Sequence, residues 1–206
     1  LVVAEMTRRS FLGAMMFAAA ADGPVLVPVR RIVDGHAKLS PEELSRFWQR
    51  IWPESLRDLG AGGIRLQVVD ATGEIKRTAA DRPVFVGLER GVLNLVLTDH
   101  LPLYWDASRA LAGVTTIYEG YHLCLIALRY AHGNQAPWFS TNTCTHELLH
   151  ALMQDVYVTR PKWYQSAGRE ARIDSYATGL WLFGSGGAVR KSAREYVARL
   201  RAGQAF

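Results

Sequence analysis

The sequence predicts an α+β fold, a small mixed β-sheet followed by helices, on three observations. Strand-like runs crowd the middle of the chain, while helical periodicity dominates its last third. Hydrophobic residues make up 49% of the 206 residues and charged ones 21%, which is ordinary for a globular protein and enough for one domain with a proper core. No apolar run reaches the ~20 residues of a membrane-spanning helix.

Residues 1–21 stand apart from the fold. Thr7-Arg8-Arg9-Ser10-Phe11-Leu12-Gly13 resembles the twin-arginine export signature. An apolar stretch follows from Phe11 to Ala21, ending in the small residues Ala19-Ala20-Ala21 before Asp22. The expectation is a signal peptide cut after Ala21, with Met6 as the start and 22–206 as a single domain. It implies the twin-arginine export machinery as a partner, a periplasmic or extracellular location, and membrane contact only through the signal segment.

Pro24 to Val33 favours a strand. Ser40-Pro41-Glu42-Glu43 opens a helix: Ser40 caps it, Pro41 fits the first turn and Glu43 completes a capping box. Leu44, Phe47, Trp48, Ile51 and Trp52 continue at helical spacing and read as core, with Pro53 expected to kink or interrupt the helix. After Gly60, Gly62 and Gly63 come strands. Ile64 to Val69 alternates, Asp70-Ala71-Thr72-Gly73 reads as a turn, and Glu74 to Arg77 as its return strand. Pro83–Leu88, Val92–Thr98, Gly113–Tyr118 and Tyr121–Tyr130 are further strands, the last apolar enough to be central. A polar loop, Ala131 to Pro137, leads to a helix over about Ser140–Val158, broken by Pro161. Helices over about Trp163–Phe183 and Val189–Arg201 follow, separated by Gly184-Ser185-Gly186-Gly187.

The net charge is +5, with the basic residues scattered. That predicts solubility and a mild preference for acidic surfaces, with no nucleic-acid partner. Cys124 and Cys144 can form one disulfide outside the cytoplasm; two separately buried thiols is the preferred reading.

The chemistry concentrates in Thr145-His146-Glu147-Leu148-Leu149-His150, an H-E-x-x-H run in a helix-favouring stretch. Residues four apart share a helix face, so His146 and His150 can grip one metal ion. Glu147 sits beside them, placed to take a proton from water activated there. Catalytic zinc normally takes a third protein group, and three candidates compete. Asp155 points about 140° away from His150 on a continuing helix and needs a break there. His36, His100, His122 and His132 lack diagnostic spacing. Glu170 lies twenty residues after His150 on the next helix, far enough for an antiparallel return. Asp174, one turn later on the same face, can accept a hydrogen bond from a metal-binding imidazole. Met153 and Val156 stand where the metzincin pattern needs a glycine and a ligand.

With Glu170-Ala171-Arg172-Ile173-Asp174 following H-E-x-x-H at this spacing, the segment from Thr145 to Tyr176 resembles the gluzincin, or thermolysin-like, zinc peptidases. Arg169 stands where that group usually has asparagine. The resemblance implies a zincin-like fold, Zn2+ held by His146, His150 and Glu170, Glu147 as general base and Asp174 behind one histidine. It also implies a downstream oxyanion donor, for which Tyr157, Tyr164 and Tyr176 are candidates, and a peptide or protein substrate lying along an edge strand, either Gly113–Tyr118 or Tyr121–Tyr130. The expected function is an exported zinc metallopeptidase. The alternatives are a non-catalytic, zinc-bearing exported binding protein and an amidase-type zinc hydrolase.

Overall fold

Six strands form one curled, mixed sheet with helices packed on it, an α+β arrangement. The computed structural model describes residues 23–78, 83–101, 112–134, 142–154, 167–184 and 186–204. The expected signal segment and its cleavage point lie outside them. Among the described residues no helix is long and apolar enough to cross a membrane.

The chain enters through β1 (Val25–Asp34), then α1 (Pro41–Arg46), a π-helical segment (Phe47–Ile51) and α2 (Trp52–Ala61). The strands β2 (Ile64–Arg77), β3 (Pro83–Val86), β4 (Leu93–Thr98), β5 (Gly113–Tyr118) and β6 (Tyr121–Ala127) follow. The chain then runs through α3 (Thr143–Leu152), α4 (Ala167–Phe183) and α5 (Gly187–Arg201). The sheet order is β3-β2-β1-β4-β6-β5. The inner strands β2, β1, β4 and β6 are mutually parallel, and β3 and β5 close the two edges antiparallel.

The helical start at Ser40 follows the sequence reading. Its hydroxyl accepts from the Glu43 amide, and the Glu43 carboxylate accepts from the Ser40 amide. Pro53 interrupts the helix in a specific way. The turn before it widens to π spacing, with the Trp52 amide bonded to the Phe47 carbonyl, which accommodates a residue that has no N–H and whose ring crowds the carbonyl four positions back. Phe47, Ile51 and Trp52 are buried in the main core, and Trp48 packs against it.

The turn expected at Asp70–Gly73 is not there. Ile64–Arg77 is one continuous strand, because β1 pairs with it over Ile64–Gly73 and β3 pairs with its last residues. Tertiary pairing overrides the local turn signal. Gly73 serves a close approach instead: a methyl there would meet the Val86 carbonyl at 2.5 Å and Ile32 Cγ2 at 2.7 Å. Smaller corrections are that β6 ends at Ala127 and α3 at Leu152, where Gln154 takes a left-handed φ of 56°.

Strand parity divides the core. Val25, Val27, Val29, Leu93, Leu95, Leu97, Cys124 and Ile126 face the helices, and Leu148, Leu149, Ile173, Ala177 and Tyr196 cover them. On the opposite face Ile32, Ile75, Val96, Val114, Leu123 and Leu125 form a smaller cluster with Phe85 and Tyr118. On β5, Val114 belongs to this second cluster, so Gly113 and Thr115 lie on the face turned towards α3.

Candidate metal centre

Helix α3 starts where Asn142 caps it. The Asn142 Oδ1 accepts from the amides of Cys144 at 2.9 Å and Thr145 at 3.1 Å, and Ser55 Oγ donates to the same oxygen at 2.8 Å. Nine of the ten residues of α3 are buried, and the exception is His146. The helix is therefore fixed on its other sides and opens towards α4. On α4, Ile173, Ala177 and Leu180 bury one stripe, which brings Glu170 and Asp174 up to α3 from successive turns.

Three ligand-type atoms converge there. His146 Nε2 lies 3.0 Å from Glu170 Oε2 and 3.1 Å from His150 Nε2, and His150 Nε2 lies 3.4 Å from the same Glu170 oxygen. A tetrahedral ion with bonds of about 2.0–2.2 Å spaces its ligand atoms about 3.4 Å apart, so the three atoms already approximate one face of such a shell. Among the described residues this is the one group of three that can hold a metal ion. Behind it, Asp174 Oδ1 lies 2.9 Å from His146 Nδ1. A proton on Nδ1 donated to this carboxylate leaves the Nε2 lone pair directed at Glu170 and His150. Exposure is graded, from 3% at His150 through 16% at His146 to 36% at Glu170 and 46% at Asp174, so the centre is approached from the α4 side.

The electrostatics match this crowding. Burial pulls the His146 imidazole down, but its hydrogen bonds with Asp174 and Glu170 outweigh that and raise it to about 10. His150 is raised on the same balance, burial against Glu170. Hydrogen bonds with His146 and His150 hold the Glu170 carboxyl well below the usual carboxylate range. A metal ion entering here has a proton to displace.

Glu147 is buried and turned onto β5, where Thr115 Oγ1 lies 2.8 Å from its Oε2. Burial raises its carboxyl above the usual value, against the lowering effect of the two histidines when they are charged. Nothing in the sequence distinguished Thr115 beforehand. The only signal is that the face of β5 towards α3 carries a glycine and a hydroxyl where an apolar residue would be ordinary.

The other candidates are placed elsewhere. His36 pairs with Glu74, His100 with Asp99, and His132 with Thr143, while the His122 ring packs against Tyr196. Tyr176 packs against the main core. Asp155, Tyr157 and Tyr164 lie outside the described residues. Cys124 and Cys144 are free, buried thiols. Burial pushes both up, Cys144 to about 12, so neither is a ready nucleophile or metal ligand at neutral pH. Comparisons with family models, curated proteins and solved structures gave no match.

Proposed function

We propose that this chain is an exported zinc-dependent metallopeptidase. The observation that carries the reading is the convergence of His146, His150 and Glu170, with Asp174 bonded to the far nitrogen of His146. Two imidazoles and one carboxylate form the donor set of catalytic zinc centres that keep a fourth position open. Zinc held there supplies an activated water and polarises a peptide carbonyl. Asp174 keeps His146 in the tautomer that presents Nε2. Glu147, one residue along the helix from His146, takes the proton of the attacking water and delivers it to the leaving amine. Its burial raises its proton affinity in the direction this task needs. The edge strand β5 lies beside Glu147, and strand addition at such an edge is a common way to hold an extended peptide, which supports a peptide or protein substrate. Export rests on the sequence of residues 7–21.

The test is the Glu147→Gln variant of the full chain, loaded with zinc and assayed on a mixed fluorogenic peptide library. Zinc content should match the wild type, while hydrolysis falls by about 10²–10⁴-fold. Wild-type protein that holds one zinc per chain and cleaves no library member would overturn the peptidase reading in favour of the binding protein.

A further inference from the structure

The last strand of the described sheet meets the motif helix at Glu147. β5 runs antiparallel to β6 at the end of the sheet, with Thr115 opposite Cys124 and Gly113 opposite Ile126. Thr115 is buried, and its hydroxyl reaches two acceptors of one neighbour, Glu147 Oε2 at 2.8 Å and the Glu147 backbone carbonyl at 2.7 Å. A hydroxyl held between the backbone and the carboxylate of one residue folds that side chain against its own helix and restricts its rotamers. Gly113, two residues earlier on the same face, supplies the room. A methyl group there would meet Glu147 Oε1 at 2.8 Å and Cδ at 2.9 Å, with Cγ closer still, so the carboxylate occupies the place of a side chain at position 113. Among the described residues the only hydrogen bond to the carboxylate is the one from Thr115, which leaves Oε1 as the oxygen without a donor.

We propose that Gly113 and Thr115 form a seat on the edge strand that positions the Glu147 carboxylate, with Thr115 holding Oε2 and Gly113 leaving the space that Oε1 needs. The inference rests on the peptidase reading of Glu147 and adds two positioning residues to it. Neither touches the metal-binding group. Their effect is to hold Oε2, to leave Oε1 as the oxygen open to proton exchange, and to prevent the side chain from swinging to another rotamer. A displacement of about 1 Å at such a group costs of order 10²-fold in rate.

The experiment uses the zinc-loaded full chain and the variants Thr115→Val, Thr115→Ser and Gly113→Ala. Metal content is measured first, then kcat and KM on the library peptide that the wild type cleaves best. Thr115→Val should keep its zinc and its KM while kcat falls about 10–100-fold. Thr115→Ser, which keeps the hydroxyl, should recover to within a few-fold of the wild type. Gly113→Ala should lose kcat to a similar degree. A Thr115→Val enzyme with wild-type kcat, or a loss that serine does not recover, overturns the role of Thr115. An unchanged Gly113→Ala enzyme overturns that of Gly113. Crystal structures of the wild type, Thr115→Val and Gly113→Ala read the seat without any turnover. The carboxylate should lie against β5 in the wild type and leave that position in each variant, and an unmoved carboxylate overturns the seat. If the wild type cleaves nothing, the peptidase reading fails, while the crystal structures still decide whether β5 sets this side chain. If Thr115→Val does not fold, Gly113→Ala decides the matter through the same kcat and the same carboxylate position.

Discussion

Two polar clusters lie along α3, one at its first turn and one a turn further on, and they reach balance by different means. At the first turn, Asn142 Oδ1 accepts from two helix amides and from Ser55, while its Nδ2 donates to the Ile51 carbonyl and to Glu54. Thr145 adds a bond to Ser55. Each of these side chains finds its partners in the protein, and the product is a fixed joint between α2 and α3. In the second cluster two imidazole nitrogens face each other at 3.1 Å across a carboxylate oxygen. That set needs a cation at its centre, either a proton or a metal ion. Burial of polar groups is common to both; the difference is that the second cluster points three ligand-type atoms at one another.

The contrast predicts that substitutions in the two clusters are read on different instruments. The largest effect belongs to Glu170→Ala. Removing the acidic group that the two histidines share should weaken zinc binding by more than the 10–100-fold typical of an outer partner, with the fold retained. Undiminished affinity in a competition titration would break the comparison at its root.

The pH dependence comes next. His146, raised to about 10, holds its proton at neutral pH until metal displaces it. Apparent zinc affinity should therefore rise about tenfold per pH unit, with at least one proton released, up to the region of pH 10. Calorimetry in buffers of different ionisation heat counts those protons. The same shift acts on the zinc-free fold with the opposite sign. A histidine raised above its ordinary value stabilises the fold fully below about pH 6.5, and that contribution disappears as the pH climbs through 10. Thermal melts with a chelator present should follow this fall. Glu170, held low, adds stability that is present above its ordinary value and lost as the pH drops into the acid range.

Asp174→Asn should cost about 10–100-fold in zinc affinity. The loss should be smaller near pH 7 than near pH 10, because the same substitution loosens the proton that zinc displaces. The smallest effect is expected in the first cluster. Asn142→Ala should lower stability by about 1–2 kcal/mol, measured by urea unfolding, and leave the zinc affinity of the folded protein unchanged.

How far the sequence could be read follows from the range of the interactions involved. His146 and His150 share a face because of helical periodicity, and Asp174 follows Glu170 by one turn for the same reason. Such short-range regularities are visible in a bare string of residues. The Ser40 capping box is equally local. Gly113 and Thr115 gain meaning only when β5 pairs with β6 beside α3, a register that no short window of sequence contains. The reading of Asp70–Gly73 as a turn went wrong from the opposite cause: its local signal was real, and ten residues of pairing with β1 overruled it. At Pro53 the sequence announced a disturbance but not its form, since a kink, a break and a widened turn all relieve the same clash.

The two thiols give the molecule a built-in gauge of its own opening. Cys144 is in the first turn of α3 and Cys124 is on β6, opposite Thr115, and both are fully enclosed. A small alkylating reagent can reach them only when helix and sheet part, so the rate of labelling measures how often that happens. If zinc stitches α3 to α4, adding it should slow the labelling of Cys144 by the factor with which it stabilises the fold. The breathing of the centre can thus be timed in the unaltered chain, without any substrate.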